Sequence, residues 1–163
     1  MTFWGKQAMQ VRTADNYDCE DLFVWRNDEF TRQMSLNSHP IDWRTHCDWF
    51  NSALADESRV VLICEERGGR KKIAVVRFDI VKQTATVSIN LAPEQRGRGK
   101  ATGCLQGAID FLLVNRSDVT QLAAEVREDN QASARCFANA GFALLSLDGG
   151  VLRFQRKARL AGL

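Results

Sequence analysis

The chain has 163 residues, of which 45% are hydrophobic and 26% charged, enough apolar material for one ordinary core. Its net charge of +2 is small and spread along the chain, which argues against a nucleic-acid or anionic-membrane surface. Five widely spaced cysteines without a Cys-x-x-Cys pair argue against a disulfide framework and a zinc site and fit a reducing cytoplasm, and no metal is expected. No stretch has the form of a signal peptide or the length of an apolar membrane span, so a single cytoplasmic domain is expected.

Residues 3–12 read as a first strand around Ala8, Met9 and Val11. In 18–27, Leu22, Phe23, Trp25 and Arg26 recur at helical spacing behind a capping Asp18, which predicts a short amphipathic helix. The polar segment 31–38, ending at His39-Pro40, reads as loop or a short helical turn. Asp42 caps a second helix over 43–54, with Trp43, His46, Cys47, Phe50 and Leu54 on one face and Trp49 near its edge. An apolar strand at 59–65 turns at Gly68-Gly69 into a return strand at 72–81. After Lys82-Gln83 comes 84–91, where Ala85, Val87, Ile89 and Leu91 alternate with Thr84, Thr86, Ser88 and Asn90.

Residues 99–114 make the best helix, striped by Leu105, Ala108, Ile109, Leu112 and Leu113. A strand at 121–126 leads to a helix at 130–140, which Gly141 ends in the left-handed conformation. Strands at 142–147 and 151–155 pair across Asp148-Gly149-Gly150. The order describes an α+β domain, with helices flanking a mostly antiparallel sheet.

Two stretches carry chemistry. The first is Arg96-Gly97-Arg98-Gly99-Lys100-Ala101, between a strand and an apolar helix. Its glycines allow a sharp turn and close approach of a bulky ligand. The open amides of the turn and helix start, with the helix dipole, suit phosphate, and Arg96, Arg98 and Lys100 add mobile positive charge. The second runs from Val126 to Phe142 and holds Asn130, Ser133 and Gly141-Phe142. In this order and spacing the two resemble the Arg/Gln-x-x-Gly-x-Gly/Ala loop and the Asn-x-x-Ser/Ala…Gly-Phe block of the GCN5-related N-acetyltransferase (GNAT) superfamily.

The resemblance implies a GNAT-like fold, with a mixed, mostly antiparallel sheet of about seven strands flanked by four helices. It implies a domain with acceptor-side helices in 1–57 and an acetyl-CoA-binding core in 58–157. Backbone amides near Asn90, Leu91 and Ala92 would hold the acetyl carbonyl, those of Arg96–Ala101 the pyrophosphate, and Asn130 the pantetheine arm, with Ser133 and Phe137 beside it. Asn130 also suits a plain helix N-cap. Phe137 stands where many relatives carry a tyrosine that protonates the departing thiolate, and the only tyrosine, Tyr17, is far upstream. The candidate bases are Glu125, Glu128 and His46, the last equally readable as a packed histidine.

For the acceptor, Trp25-Arg26-Asn27, Asn37 and His46-Cys47-Asp48-Trp49-Phe50 resemble the N-terminal block of acetyltransferases acting on 4-amino nucleotide sugars, as in pseudaminic acid biosynthesis. On that likeness Trp25 and Trp49 stack on rings, Arg26 holds a diphosphate, and Asn37 and His46 line the site; equally, the tryptophans fill a core. The implied function is acetyl-CoA-dependent acetylation of a primary amine on a small molecule, such as a nucleotide sugar. A protein N-terminus or small amine is the alternative acceptor, and a non-catalytic acyl-CoA sensor the second alternative. A monomer or homodimer is expected, with neither nucleic acid nor membrane as partner.

Overall fold

A computed structural model describes residues 9–69 and 71–160. The apolar runs predicted as hairpin strands form the middle of the sheet: β2 (Arg59–Glu66), β3 (Lys72–Val81) and β4 (Thr84–Leu91) pair antiparallel in succession. β1 (Met9–Thr13) lies outside β2; the expected start of this strand at residue 3 lies outside the described residues. Beyond β4 come β5 (Gln121–Arg127), β7 (Val151–Lys157) and β6 (Ala143–Asp148), completing seven strands in the order β1-β2-β3-β4-β5-β7-β6. Only β4 and β5 run parallel. The outer strand β6 carries Leu144, Leu145 and Leu147 exposed.

The period-two pattern divides the sheet into two cores. Leu62, Val76, Phe78, Ala85, Val87 and Leu122 face α4 (Ala101–Asn115), whose Leu105, Ala108, Ile109 and Leu112 are fully buried against them, and α5 (Gln131–Asn139) extends this core through Cys136 and Phe137. On the other face Val61, Ile63 and Val75 pack against Leu22 and Trp25 of α1 (Cys19–Asn27) and Phe50 and Ala53 of α3 (Trp43–Ala55). Asp42 caps α3 as predicted, its carboxylate accepting the Thr45 N–H at 2.9 Å.

Among the described residues five α-helices form rather than four. The additional one, α2 (Glu29–Met34), is started by Asp28, whose carboxylate accepts the Thr31 N–H at 3.0 Å. None of its residues is buried, so it carries no apolar stripe from which a period could be read. α4 begins at Ala101 instead of 99 because Gly97 and Gly99 take φ of +69° and +70°, outside the helical basin.

Asp18, expected as the cap of α1, makes no cap bond and is fully buried. It pairs with both nitrogens of the Arg12 fork at 2.7 and 2.9 Å, with Lys72 at 2.8 Å, and accepts the Asp15 N–H at 2.9 Å. Burial alone would raise its pKa, but the bonds from Arg12, Lys72 and Asp15 outweigh it and hold the carboxyl well below the usual range. A depressed carboxylate pKa adds stability above its unfolded value, and this is lost as pH falls toward the folded value. Asp18→Asn is expected to cost about 3 kcal/mol in urea unfolding at neutral pH, because Arg12 and Lys72 are left partly uncompensated. The variant should also lose less stability than the native protein below about pH 4.

Candidate active site

The parallel pair β4 and β5 bonds only from Thr84–Thr86 to Gln121–Ala123, and beyond that rung the strands part. On its other edge β4 stays paired with β3, and the Ala92 N–H reaches the Ile73 carbonyl at 2.9 Å. Antiparallel bonding alternates, so the amides of Asn90 and Ser88 also face β3, whereas those of Leu91 and Ile89 face the gap. Of the three amides expected to hold an acyl carbonyl, Leu91 alone is therefore placed for it. Asn90 and Ala92 have theirs committed to β3, and the Asn90 side chain instead takes the Thr31 hydroxyl at 3.4 Å.

At the end of the gap the chain turns through Gly97 and Gly99. Their positive φ is easy for glycine alone, and no atom lies within 4 Å of where a Cβ would stand at either. The amides of Gly97, Arg98, Gly99 and Lys100 find no carbonyl among the described residues. With the first free amides of α4 they form a positively polarised turn, an amide cradle of the kind that binds phosphate. Arg98 is exposed and lines this end.

Arg96 departs from its expected role as a mobile phosphate-binding cation. Its guanidinium bonds Asp28 and the Thr31 hydroxyl, and it lies over the Phe30 ring at 4.9 Å, so it ties α2 to the turn. Lys100 donates to Gln95 at 2.7 Å. Asn130 caps α5 by accepting the Ser133 N–H at 3.2 Å, and its amide donates to the Met34 carbonyl at 3.4 Å. The cap reading of Asn130 thus holds in the structure, and the same residue joins α5 to the end of α2.

Between these elements lies a groove of about 1130 Å³. Ala101, Ser133 and Phe137 line its cradle end, and Arg26, Asn37, His46 and Trp49 its other end. Trp25 does not line it: only 5% exposed, it packs with Leu22 and Phe50 in the core beneath α1, which corrects its reading as a stacking residue. The Asn37 carbonyl accepts from Arg26 at 3.1 Å.

His46 is 2% exposed, with its ring among Phe23, Trp43, Trp49 and Phe50 at centroid distances of 5.4 to 6.2 Å. Its Nε2 lies 2.8 Å from the Cys19 carbonyl, an acceptor only, so Nε2 carries the proton. Burial lowers its pKa and the Arg26 charge adds to this, together outweighing the Cys19 bond, which favours the charged ring. These are the marks of a packed histidine that also walls the groove.

Glu125 projects from the open face of β5, opposite Leu122, Ala124 and Val126, and is exposed at the groove 3.4 Å from Arg153. Glu128 is exposed and does not line the groove. Phe137 is buried against Phe142 and Phe154 at 5.2 and 6.0 Å, while Tyr17 is 91% exposed and away from the groove. Among the lining residues that the sequence reading did not propose are Arg77 and Ser88. Arg77 interrupts the apolar run of its strand on the face opposite Val76 and Phe78, a signal that was open to reading.

Residues 9–143 match the family model described as an acetyltransferase (GNAT) domain. The chain belongs to the GNAT acetyltransferases. No curated protein matches it. Among solved structures it is similar to the spermidine N-acetyltransferase of Vibrio cholerae in complex with CoA and spermine, with a TM-score of 0.82 at 16% identity over 94% of this chain and 97% of that one. A domain from Methanocaldococcus jannaschii gives 0.78 at 17% identity over 91% and 97%. A candidate phosphinothricin N-acetyltransferase gives 0.75 at 22% identity over 93% and 99%. Likeness at these identities shows the fold, a GNAT sheet of seven strands with helices on both faces. GNAT enzymes draw their acetyl group from acetyl-CoA, and the cradle at Gly97–Gly99 fits such a donor because it is open and rich in free amides.

Proposed function

We propose that this GNAT enzyme transfers acetyl from acetyl-CoA to the primary amine of a small acceptor entering from the α1–α3 side. The observation that carries the reading is the parting of β4 and β5 with the amide cradle at its end. In this reading the cradle holds the pyrophosphate and the Leu91 N–H receives the thioester carbonyl. The amine nitrogen attacks the carbonyl carbon, and negative charge on the oxygen is stabilised by that donor. Glu125, directly or through water, takes the proton that the amine loses. The C–S bond then breaks. With Phe137 unable to donate, CoA departs as the thiolate, a fair leaving group because its ordinary pKa is about 8.5, and is protonated by the solvent after it has left.

The lining also bears on the acceptor. Glu125 is the sole carboxylate among the described lining residues, and on the acceptor side it stands against Arg26 and Arg77, which make no ion pair among the described residues. A polycation such as spermidine would meet repulsion there, whereas a neutral or anionic amine would not. A nucleotide-linked amino sugar remains the finer reading. Arg26 at the groove supports it, whereas the burial of Trp25 removes one of its stacking partners and Arg77 covers one face of the other, Trp49.

Thiol release from acetyl-CoA, measured against 4-amino nucleotide sugars, short peptides, uncharged amines and spermidine, tests the reading. We expect kcat/KM for the best neutral or anionic amine to exceed that for spermidine by about tenfold or more. A preference for spermidine would overturn this choice of acceptor, and release with peptides alone would redirect it to protein N-termini.

A further inference from the structure

Two arginines at the acceptor end of the groove lack the counter-ions that others in the chain possess. Arg12 has Asp18 and Glu65, Arg96 has Asp28, and Arg127 has Asp129. Arg26 and Arg77 make no ion pair among the described residues, yet both are partly buried and line the groove. In Arg26, Nη2 reaches the Asn37 carbonyl at 3.1 Å, while Nη1 is buried with no hydrogen-bond partner. An orphaned guanidinium nitrogen is uncommon, because a buried donor without an acceptor weakens the fold.

Arg77 comes from β3, on the same sheet face. Its Nε donates to the Ser88 hydroxyl at 3.3 Å, and its guanidinium lies over the Trp49 indole, 5.1 Å from the ring centroid. That contact orients the fork and covers one face of Trp49, so Trp49 serves less as a platform for a ring than as a support for a cation. Burial depresses both arginines; at Arg77 the nearby Asp79 charge opposes this without forming an ion pair, and the Arg26 charge adds to it. A guanidinium nevertheless stays protonated in proteins, so the charge waits for an anion rather than disappearing.

We infer, resting on the acetyltransferase reading above, that Arg26 and Arg77 form an anion subsite, and that the acceptor amine carries a carboxylate or phosphate group held there. Two guanidinium forks can hold either group through paired N–H bonds, which a lysine cannot reproduce. Arg77 stands across from Ser88, two residues before Asn90. The carbonyl-binding Leu91 lies one residue further on, about 10 Å from Ser88 along an extended strand, so the anion and the reacting amine are separated by several bonds.

The first test uses the protein saturated with CoA, which occupies the phosphate cradle, and adds inorganic phosphate or succinate against sodium chloride of equal ionic strength. At least one of the two anions should raise the thermal midpoint by about 2 °C or more. Which of them does so tells phosphate from carboxylate. Arg26→Gln and Arg77→Gln should each lose the shift, and Arg77→Lys should keep part of it. No shift in the native protein would overturn the subsite whatever the variants do, and so would an equal shift in native and both glutamine variants.

Turnover provides the second test, with 6-aminohexanoate against its methyl ester and 6-aminohexyl phosphate against 6-aminohexanol, whose chains are long enough to join the two positions. The acidic member of at least one pair should be preferred about tenfold in kcat/KM, and that ratio should collapse in Arg77→Gln. Thiol release without an acid preference would sink the subsite and leave the transferase standing. A thermal shift with no thiol release from any amine would do the reverse.

Discussion

Gly99→Glu is expected to abolish acetyl-CoA binding, with affinity falling more than a hundredfold on calorimetry. Two separate effects combine. At φ +70° a side chain with a Cβ sits in the left-handed basin, costing about 1–2 kcal/mol. No atom lies within 4 Å of the Cβ position, so the backbone pays for the dihedral alone and not for a clash. The carboxylate then stands in a cradle whose amides face an anion. At about 4 Å a like charge costs on the order of 1 kcal/mol in water and 4 kcal/mol near a protein surface, and a pyrophosphate presents more than one. Gly99→Ala separates the two effects, since it keeps the strain and lacks the charge; a loss of about tenfold is expected for it. Unchanged affinity in Gly99→Glu would mean that the pyrophosphate lies elsewhere.

The turn and the cap of the proposed donor half were legible because their geometry is local. A turn with positive φ needs Gly97 and Gly99 whatever surrounds it, and a cap needs a residue such as Asn130 directly before its helix. Period two in 84–91 likewise told which β4 residues face α4, because a strand with one face on a core has little choice. The acceptor half depends on which of several chemically similar residues the fold turns inward. Trp25 and Trp49 read alike, and only the packing of α1 on Val61, Ile63 and Val75 sends the first into the core while the second walls the groove. Asp18 read as a cap because its partners Arg12 and Lys72 come from strands six and more than fifty residues away. Arg96 read as free because Asp28 and Thr31 belong to α2, a helix with no pattern of its own.

Glu125→Gln should lower kcat by about a hundredfold or more, the usual loss when a general base is removed, while acetyl-CoA affinity on calorimetry stays close to native. The two readouts should part because Glu125 stands on the open face of β5, away from the Gly97–Gly99 cradle. Instability would not account for the loss. The Glu125–Arg153 pair is exposed at 3.4 Å, and such pairs contribute about 0–1 kcal/mol. The unfolding midpoint should therefore move little. Glu125→Asp, which keeps the carboxylate but shortens its reach, should recover part of the rate if proton transfer runs through water, and almost none if contact is direct. A glutamine variant within threefold of native kcat would remove Glu125 from the chemistry. With Glu128 away from the groove and the His46 ring wedged among four aromatics, the amine would then have to arrive already neutral. In that case the rate would follow the pKa of the acceptor rather than that of any group on the enzyme, and a series of amines of graded basicity would reveal it as a pH profile that moves with the substrate.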